Sequence, residues 1–330
     1  MIHKILVIGV GGMGLKHIDT FIKTQRAKIY IYDVDKSLCE NILNKYAELE
    51  YCDLEDSRLL KGINGVLIAS PTHTHIETAL WCAQHDKNFI LEKPISNTID
   101  RVDELIELCK YKSIRAAIAY PRRHGVAYKL IKRSIENGLI GKLKFFKSNF
   151  SQDFRKYRPD YQSIYYSKLS QGGGILMDAL THHIDLAIFY AGPIDSINAM
   201  SDRLVIEGVE GDDSAVLNLR FRSGALGNIT GNQFQKPNDD YIELIGTHAS
   251  YKYDRLSGTL TYASNDNLKD LDIESIDGDW AEILLNQAHA ILDFFSGERF
   301  AGTTLVEGLM GLEAVLAAKK SSDAGKTISL

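Results

Sequence analysis

Cysteine is scarce in this sequence. Four cysteines occur in 330 residues, and they stand singly at positions 39, 52, 82 and 109. Because no C-x-x-C pair is present, buried reduced thiols are favoured over disulfides or a zinc site. We therefore expect four free thiols, no bound metal and a reducing compartment.

Long apolar runs and an excess of charge are also missing. No run approaches the roughly 20 apolar residues of a membrane-spanning helix. The first apolar run is cut by glycines and lacks the small-residue cleavage site of a signal peptide. With 38 basic and 43 acidic residues the net charge is −5, which gives no general attraction to nucleic acid. The sequence predicts a cytoplasmic protein with neither a membrane nor a nucleic acid as partner.

The chain does contain enough apolar sequence for more than one core. Of its 330 residues, 45% are hydrophobic and 25% are charged, which is typical of globular proteins, and the length exceeds one ordinary domain. The pattern of the sequence changes near Tyr120. We predict a first domain at residues 1–120 and a second at residues 121–330.

The first domain alternates short apolar runs with helical patterns. Helix-like segments of about ten residues separate the runs, for example Lys36–Tyr46, His75–His85 and Val102–Lys112. This alternation indicates βαβ units and a doubly wound parallel sheet covered on both faces. The predicted strands are Lys4–Ile8, Lys28–Tyr32, Glu50–Cys52, Val66–Ala69, Asn88–Leu91 and Arg115–Tyr120.

The second domain begins with two predicted helices, Val126–Asn137 and about Ile175–Tyr190, and strand patterns then dominate. In Ser214–Arg222 every second residue is apolar, which predicts an antiparallel sheet with one covered face. The chain is predicted to close with two helices, Trp280–Phe295 and Leu305–Ser321. Further predicted strands are Lys142–Phe150, Ala225–Phe234, Tyr241–Ile245 and Ser250–Asp254.

Glycines after the first strand are typical of a dinucleotide site. Gly9, Gly11 and Gly14 follow the order G-x-G-x-x-G, and Asp33 stands where the second strand ends. Such glycines allow a tight turn, a close approach of backbone to a pyrophosphate, and close packing of helix on strand. A carboxylate about 20 residues further on accepts hydrogen bonds from ribose hydroxyls and repels a 2′-phosphate. The pattern predicts NAD in preference to NADP.

Ligands in such sheets bind beyond the carboxyl ends of the strands, so loops after several strands are expected at the same edge. The predicted cofactor contacts are Gly9, Gly11, Gly12, Met13, Gly14, Asp33, Ser70, Pro71, Thr72, His75, Glu92 and Lys93.

Two further motifs carry residues suited to proton transfer. Lys93, whose backbone is restricted by Pro94, can hydrogen-bond a substrate hydroxyl and stabilise developing negative charge; a solvated lysine is the alternative. After three glycines at 172–174, Asp178 and His182 are four residues apart and share a helix face. A carboxylate beside an imidazole suits a proton acceptor near neutral pH; a surface Asp–His pair is the alternative. His183 is expected to pack.

Together these motifs, with Ser70-Pro-Thr-His-Thr-His75 and the acid Asp185, resemble the Gfo/Idh/MocA oxidoreductases over nearly the whole chain. The resemblance implies an N-terminal Rossmann doubly wound parallel sheet and a C-terminal α+β domain with a large, mostly antiparallel open sheet. That sheet is commonly the oligomer interface, so a homodimer or homotetramer is expected. Many relatives carry glycine where this sequence has Leu180, and proline where it has Val126.

The resemblance also implies a function, namely that of an NAD-dependent dehydrogenase. Such an enzyme transfers a hydride between nicotinamide and a secondary alcohol of a sugar, sugar derivative or cyclitol. The implied catalytic set is Lys93, Asp178 and His182, with a Lys93–Pro94 peptide that is often cis. His182 is the expected base, and Lys93 as base is the competing assignment. An NAD-dependent glycosidase of the same family and a non-catalytic NAD or sugar sensor stay open as alternatives.

One segment has a local charge that the whole chain lacks. From Arg122 to Lys168 the sequence has twelve basic residues and three acidic ones. Arginines mixed with tyrosines in Phe154–Tyr161 suit an anionic, ring-bearing ligand; a solvated basic surface is the alternative. We expect an acidic sugar or sugar nucleotide as substrate. The predicted substrate contacts are Lys93, Arg123, Arg155, Tyr157, Arg158, Asp178 and His182.

Overall fold

The computed structural model describes residues 2–264, 267–272 and 279–330. The chain divides into two compact units, Met1–His124 with Ala281–Gly308, and Gly125–Trp280 with Leu309–Leu330. The first boundary lies near the expected one at residue 120. No sequence pattern had indicated that residues 281–308 pack with the first unit.

Strands and helices alternate through the first third of the chain, and strands then prevail until the two closing helices. The strands are β1 (His3–Ile8), β2 (Ala27–Tyr32), β3 (Glu50–Tyr51), β4 (Gly65–Ile68), β5 (Phe89–Glu92), β6 (Ala116–Ala119), β7 (Leu143–Asp153), β8 (Ile194–Asp202), β9 (Ser214–Phe221), β10 (Leu226–Asn232), β11 (Phe234–Gly246), β12 (Ala249–Asp254), β13 (Thr259–Ser264), β14 (Asn267–Asp272), β15 (Thr303–Thr304) and β16 (Ile328–Ser329). The helices are α1 (Gly12–Thr24), α2 (Lys36–Lys45), α3 (Ser57–Gly62), α4 (His75–Gln84), α5 (Val102–Tyr111), α6 (Val126–Glu136), α7 (Phe154–Tyr157), α8 (Thr181–Ala191), α9 (Trp280–Phe295) and α10 (Leu305–Ala324).

The first unit is built on a seven-stranded sheet in the order β15-β6-β5-β4-β1-β2-β3. Strands β1 to β6 run parallel, and β15 pairs antiparallel with β6. All residues of β4 and β5 are buried, as expected for strands covered on both faces. The predicted parallel Rossmann sheet is confirmed.

Helix α9 lies far along the chain but contributes to the core of the first unit. Ala288, Ile291 and Leu292 are buried in the same apolar cluster as Ile5 and Val7 of β1. Burial of a helical stripe against the sheet is the main source of its stability there. The apolar periodicity of Trp280–Phe295 predicted a helix, but periodicity does not identify the core against which a helix packs.

The second unit is built on a nine-stranded sheet in the order β14-β13-β12-β11-β7-β10-β9-β8-β16. The β7–β10 pair is parallel and the other pairs are antiparallel. On β9, Ala215, Leu217, Leu219 and Phe221 are buried, whereas Val216 and the residues that alternate with it point to the other face. Helix α8 packs on β7 and β10. The predicted large, mostly antiparallel open sheet is confirmed.

Several elements were absent from the sequence prediction, among them helix α3 and strand β8. Helix α3 has only six residues, and it is fixed by Asp56, whose carboxylate accepts the backbone N–H groups of Arg58 and Leu59. In strand β8 the register shifts between Ile194 and Ser196. The shift places an extra residue in the strand, which breaks the two-residue alternation by which a strand is recognised.

In the part of the chain that the structure describes, every helix is too short or too polar to cross a membrane.

Candidate active site

The glycine turn between β1 and α1 has two kinds of glycine. Gly9 has a φ of +88°, and a Cβ there would lie 2.4 Å from the backbone nitrogen of Ser70. A Cβ on Gly14 would lie 2.0 Å from the carbonyl oxygen of Gly9. These two positions therefore accept only glycine without rearrangement of the turn.

Gly11 and Gly12 have a different environment, because a Cβ at either position would meet no heavy atom within 4 Å. Gly11 caps α1 without any side-chain hydrogen bond, so the N–H groups of the first helical turn face open space. A helix N-terminus of this kind binds a pyrophosphate through its N–H groups and its dipole. The turn fits the phosphates of a dinucleotide.

Asp33 is held beside this turn by backbone groups. Its Oδ2 accepts the N–H of Val10 at 2.9 Å, and its Oδ1 accepts the N–H of Asp35 at 3.0 Å. Because each carboxylate oxygen has a second lone pair, both can still accept a hydroxyl. The carboxylate is therefore held in one orientation with free acceptor capacity, as the predicted ribose contact requires.

His75 joins two loops at the same edge of the sheet. Its Nδ1 lies 2.8 Å from the carbonyl oxygen of Pro94, and its Nε2 lies 2.9 Å from that of Ser70. Burial lowers the pKa of this imidazole, against the effect of the two carbonyls. Only 1% of His75 is exposed, so its side chain supports the loops after β4 and β5 from the protein interior.

Glu92 has a similar position at the end of β5. Its Oε1 lies 2.6 Å from Nε2 of His17 on α1, and both side chains are buried. Its Oε2 accepts the N–H of Lys93 at 3.1 Å. Burial opposes ionisation of the carboxyl, but the hydrogen bond and charge of His17, followed by Lys93, hold the pKa of Glu92 below its usual range. Glu92 thus fixes the backbone from which the Lys93 side chain extends.

The remaining predicted cofactor residues are less enclosed. Met13, Ser70, Thr72 and Lys93 are half-buried and Pro71 is exposed. The Lys93–Pro94 peptide is cis.

In the second unit, three segments meet where the candidate catalytic helix begins. A Cβ on Gly173 would lie 2.2 Å from the carbonyl oxygen of Tyr166, and one on Gly174 would lie 2.2 Å from Oδ1 of Asp212. The N–H of Ile175 donates to the carbonyl of Asp212 at 2.8 Å. The glycines predicted before the helix therefore allow close packing of backbone from both sides.

Asp178 lies in a π-helical turn, Leu176–Leu180, which leads directly into α8. Such wide turns inside helices are frequent at functional sites. Oδ1 of Asp178 accepts a hydrogen bond from the hydroxyl of Tyr165 at 2.8 Å. His182 is the second residue of α8, and its ring stands edge-on to Trp280, with centroids 6.4 Å apart and planes at 90°. The contacts of Tyr165 with Asp178 and of Trp280 with His182 were not predicted, because no spacing rule links these residues to the helix.

The neighbours of these two residues are internal. His183 is fully buried, with Phe150 at 5.6 Å between ring centroids and with Nε2 at 3.5 Å from Oδ1 of Asp240. This agrees with the expectation that it packs. Asp185 is 3% exposed. Leu180 is fully buried against Gly231, so the side chain that replaces the family's glycine points into protein.

The basic residues from Arg122 to Lys168 are distributed over several elements. Arg123 belongs to the first unit, is 2% exposed, and its Nη1 lies 2.8 Å from Oε1 of Glu307. On the sheet of the second unit, Lys147 pairs with Glu243. The buried Arg123 is thus an ion-pair partner within its own unit.

Arg155, Tyr157 and Arg158 lie at α7 and just after it, and all three are exposed. The Nε of Arg155 lies 3.4 Å from Oδ1 of Asp153. The hydroxyl of Tyr157 accepts a hydrogen bond from Nδ2 of Asn238 at 2.6 Å. These side chains are available to a ligand, as the sequence interpretation requires.

A parallel sheet with an NAD-type glycine turn, followed by an open antiparallel sheet with an Asp–His helix, defines a two-domain nicotinamide-dependent oxidoreductase. Comparison with known sequences gives the family. Residues 3–120 match the model of an oxidoreductase family with an NAD-binding Rossmann fold, and residues 128–252 match the GFO/IDH/MocA C-terminal domain. The chain belongs to the GFO/IDH/MocA family. The predicted resemblance, NAD cofactor and oxidoreductase class are confirmed.

Sequence similarity to individual relatives extends over most of the chain. Myo-inositol 2-dehydrogenase of Thermotoga maritima is 32% identical over 251 residues, which is 74% of this chain and 73% of the relative. Scyllo-inositol 2-dehydrogenase (NAD(+)) of Bacillus subtilis is 29% identical over 74% of this chain and 71% of its own. The structure of a levoglucosan dehydrogenase with NADH and levoglucosan matches with a TM-score of 0.87 at 23% identity, over 100% of this chain and 99% of that one. At that identity the match concerns the fold.

Proposed function

We propose that this protein is an NAD-dependent dehydrogenase that reversibly oxidises a secondary alcohol of a sugar, sugar derivative or cyclitol. The observation that carries the proposal is that two features occur in one chain. The second unit has the helical segment with Asp178 and His182, and the first unit has the glycine turn and Asp33 of an NAD site. The names of the two inositol dehydrogenases above support the substrate class. A non-catalytic sensor has no need of this helix together with Lys93.

The proposed chemistry divides the work among three side chains. His182 accepts the proton of the substrate hydroxyl, because a neutral imidazole is a suitable base near pH 7. Asp178 orients the imidazole, and the Lys93 ammonium hydrogen-bonds the alcohol oxygen as negative charge develops on it. When bound, NAD supplies the hydride acceptor. Lys93 as the base, with His182 only binding substrate, is the competing assignment.

We also propose that the substrate is anionic. Arg155, Tyr157 and Arg158 support this, because their exposed guanidinium and phenol groups recognise a carboxylate or phosphate and a sugar ring. Arg123 is 2% exposed and paired with Glu307, so the proposed contacts with the anion rest on the exposed side chains. Faster oxidation of neutral cyclitols than of every uronic acid and sugar nucleotide would remove this part of the proposal.

The experiment is an absorbance screen for NADH formation against myo-inositol, scyllo-inositol, neutral sugars, uronic acids and sugar nucleotides. A dehydrogenase accumulates NADH with at least one of them. An NAD-dependent glycosidase instead releases free sugar from a glycoside without net NADH, and a sensor does neither. Either of these last two results contradicts the proposal.

Replacement of Asp33 by serine is expected to weaken NAD binding by roughly 10- to 150-fold, since a hydrogen bond to a charged group contributes about 1.5–3 kcal/mol. NADP binding is expected to be unchanged or tighter, because the charge that repels the 2′-phosphate is removed. Fluorescence titration with NADH and NADPH measures both. Asp35→Ser is the control, because Asp35 caps α2 through Ser37 and Leu38. Equal losses in the two variants would contradict the assignment of Asp33.

We propose that the protein forms a homodimer or homotetramer through the uncovered face of the second sheet. Three apolar side chains on that face are exposed, namely Met200, Val216 and Leu226 at 76%, 46% and 41%. Exposed apolar side chains on one sheet face are typical of association surfaces. Val216→Lys is expected to shift the mass measured by light scattering toward the monomer. An unchanged oligomer in Val216→Lys and in Met200→Lys would exclude this face.

The proposed location is the cytoplasm. All four cysteines are buried and free, and burial raises the pKa of Cys52 to about 11. Unreactive reduced thiols are typical of a reducing compartment.

A further inference from the structure

The side chain of Tyr165 is 41% exposed, but the backbone that carries it is anchored by its neighbours in the second unit. It begins a short 3₁₀ turn, Tyr165–Ser167, and the next residue, Tyr166, is fully buried. Tyr166 packs on Phe154 with 4.2 Å between ring centroids, and both lie in an apolar cluster with Ile206 and Val209. The turn is therefore anchored by a small core of its own.

Backbone hydrogen bonds fix the residues that follow. The N–H of Glu210 donates to the carbonyl of Ser167 at 2.9 Å, and the N–H of Leu169 donates to Oε2 of Glu210 at 3.0 Å. The N–H of Gly173 donates to the carbonyl of Lys168 at 3.0 Å. These bonds connect the turn to the loop after β8 on one side and to the start of the catalytic helix on the other.

From this support the hydroxyl of Tyr165 donates to Oδ1 of Asp178 at 2.8 Å. We propose that Tyr165 is a positioning residue: its hydroxyl holds the Asp178 carboxylate in the orientation with which it serves His182. The inference rests on the proposed function, because it assigns Asp178 the role of orienting the base. A π-helical turn makes such support necessary, since its wider backbone fixes a side chain less closely than an α-helix.

Loss of the hydroxyl has an electrostatic consequence. A carboxylate held beside an imidazole stabilises the protonated ring, so a less firmly held Asp178 stabilises the imidazolium of His182 less. In Tyr165→Phe the pKa of the His182 imidazole is therefore expected to fall.

Other ionisable groups lie near Asp178 and His182. Tyr166 interacts with Asp178, Asp212 and Asp213, and burial, followed by these three acids, raises its pKa. Burial raises the pKa of Asp212 to about 6, against the charge of Lys319 on α10. Asp185 follows on α8, and Asp279 precedes Trp280. None of these groups is changed by a substitution at position 165.

The test compares Tyr165→Phe with Tyr46→Phe. Tyr46 makes an equivalent bond outside the candidate site, because its hydroxyl donates to Oδ1 of Asp19 at 2.8 Å. Kinetics use the alcohol of the substrate panel that is oxidised fastest. For Tyr165→Phe we expect kcat to fall roughly three- to tenfold with KM nearly unchanged. The acid limb of the kcat/KM profile is expected to move down by as much as about one pH unit.

A second readout does not depend on turnover. The NMR titration of the His182 imidazole in 13C-histidine-labelled protein, assigned with His182→Gln, is expected to move to lower pH in Tyr165→Phe and to stay in place in Tyr46→Phe. An unchanged titration and unchanged kcat overturn the proposal, as does a rise in KM alone, which would make Tyr165 a substrate ligand. Absence of NADH formation by the wild-type protein would defeat the proposed function, while this titration would still decide the role of Tyr165.

Discussion

Replacement of His182 by alanine is expected to lower kcat by roughly 10²- to 10⁴-fold, which is the usual contribution of a positioned general base. Affinity for NADH is expected to be unchanged, because the glycine turn and Asp33 belong to the first unit. Steady-state turnover of the alcohol identified by the panel measures the first quantity. Fluorescence titration with NADH measures the second.

Comparison with Lys93→Ala decides which residue is the base. If His182 is the base, turnover by His182→Ala is restored in part by added imidazole, and Lys93→Ala mainly loses stabilisation of the alkoxide. If Lys93 is the base, Lys93→Ala is rescued by small amines instead, and His182→Ala keeps nearly normal kcat with a raised KM. His85→Ala is the control for removal of a histidine, because His85 is exposed and stacks on Trp81 of α4.

The cofactor half of the candidate site could be read from the sequence because its signals are local. Gly9, Gly11 and Gly14 lie within one turn, and Asp33 directly follows the next strand, β2. Gly9 and Gly14 are required by backbone geometry, as the close approach of Gly14 to the Gly9 carbonyl shows. Requirements of this kind leave a fixed spacing in the sequence.

The contacts that fix the side chains proposed to react leave no such spacing. Glu92 and His17 are 75 residues apart, and Tyr165 is 13 residues from Asp178 across a turn and three glycines. Their proximity follows from tertiary packing, which periodicity and propensity do not contain. The sequence therefore located the residues proposed to react but not the residues that hold them.

The charge of a segment likewise predicted the binding surface only in part. The excess of basic residues from Arg122 to Lys168 was counted along the chain, and the count treated Arg123 and Arg158 alike. In the structure Arg123 is buried with Glu307, whereas Arg158 is exposed. Burial depends on the element to which a residue belongs, so a charge count supports a binding surface only for the residues that remain accessible.

Glu92→Ala is expected to lower the free energy of unfolding by about 3–5 kcal/mol, because removal of one partner of a buried pair leaves the other desolvated and uncompensated. His17 is 3% exposed, and Glu92 is its hydrogen-bonding partner at 2.6 Å. The effect depends on pH. Because the folded-state pKa of Glu92 lies below its usual value, its contribution is complete above about pH 4.3 and is lost as the pH falls through the folded-state pKa. Urea unfolding of wild type and variant at pH 7 and near pH 3.5 measures the difference.

Glu50→Ala is the matched control, because Glu50 makes an equally short contact with Lys28, 2.6 Å between Oε1 and Nζ, but the two side chains are 52% and 41% exposed. An exposed pair contributes only about 0–1 kcal/mol. Equal losses in the two variants would show that burial of the Glu92–His17 pair is unimportant. A large loss of stability confined to Glu92→Ala would show that this carboxylate stabilises the first unit. If kcat also falls at temperatures where the variant is fully folded, the same carboxylate fixes the backbone of Lys93. Stability and the placement of a catalytic residue would then depend on one buried pair.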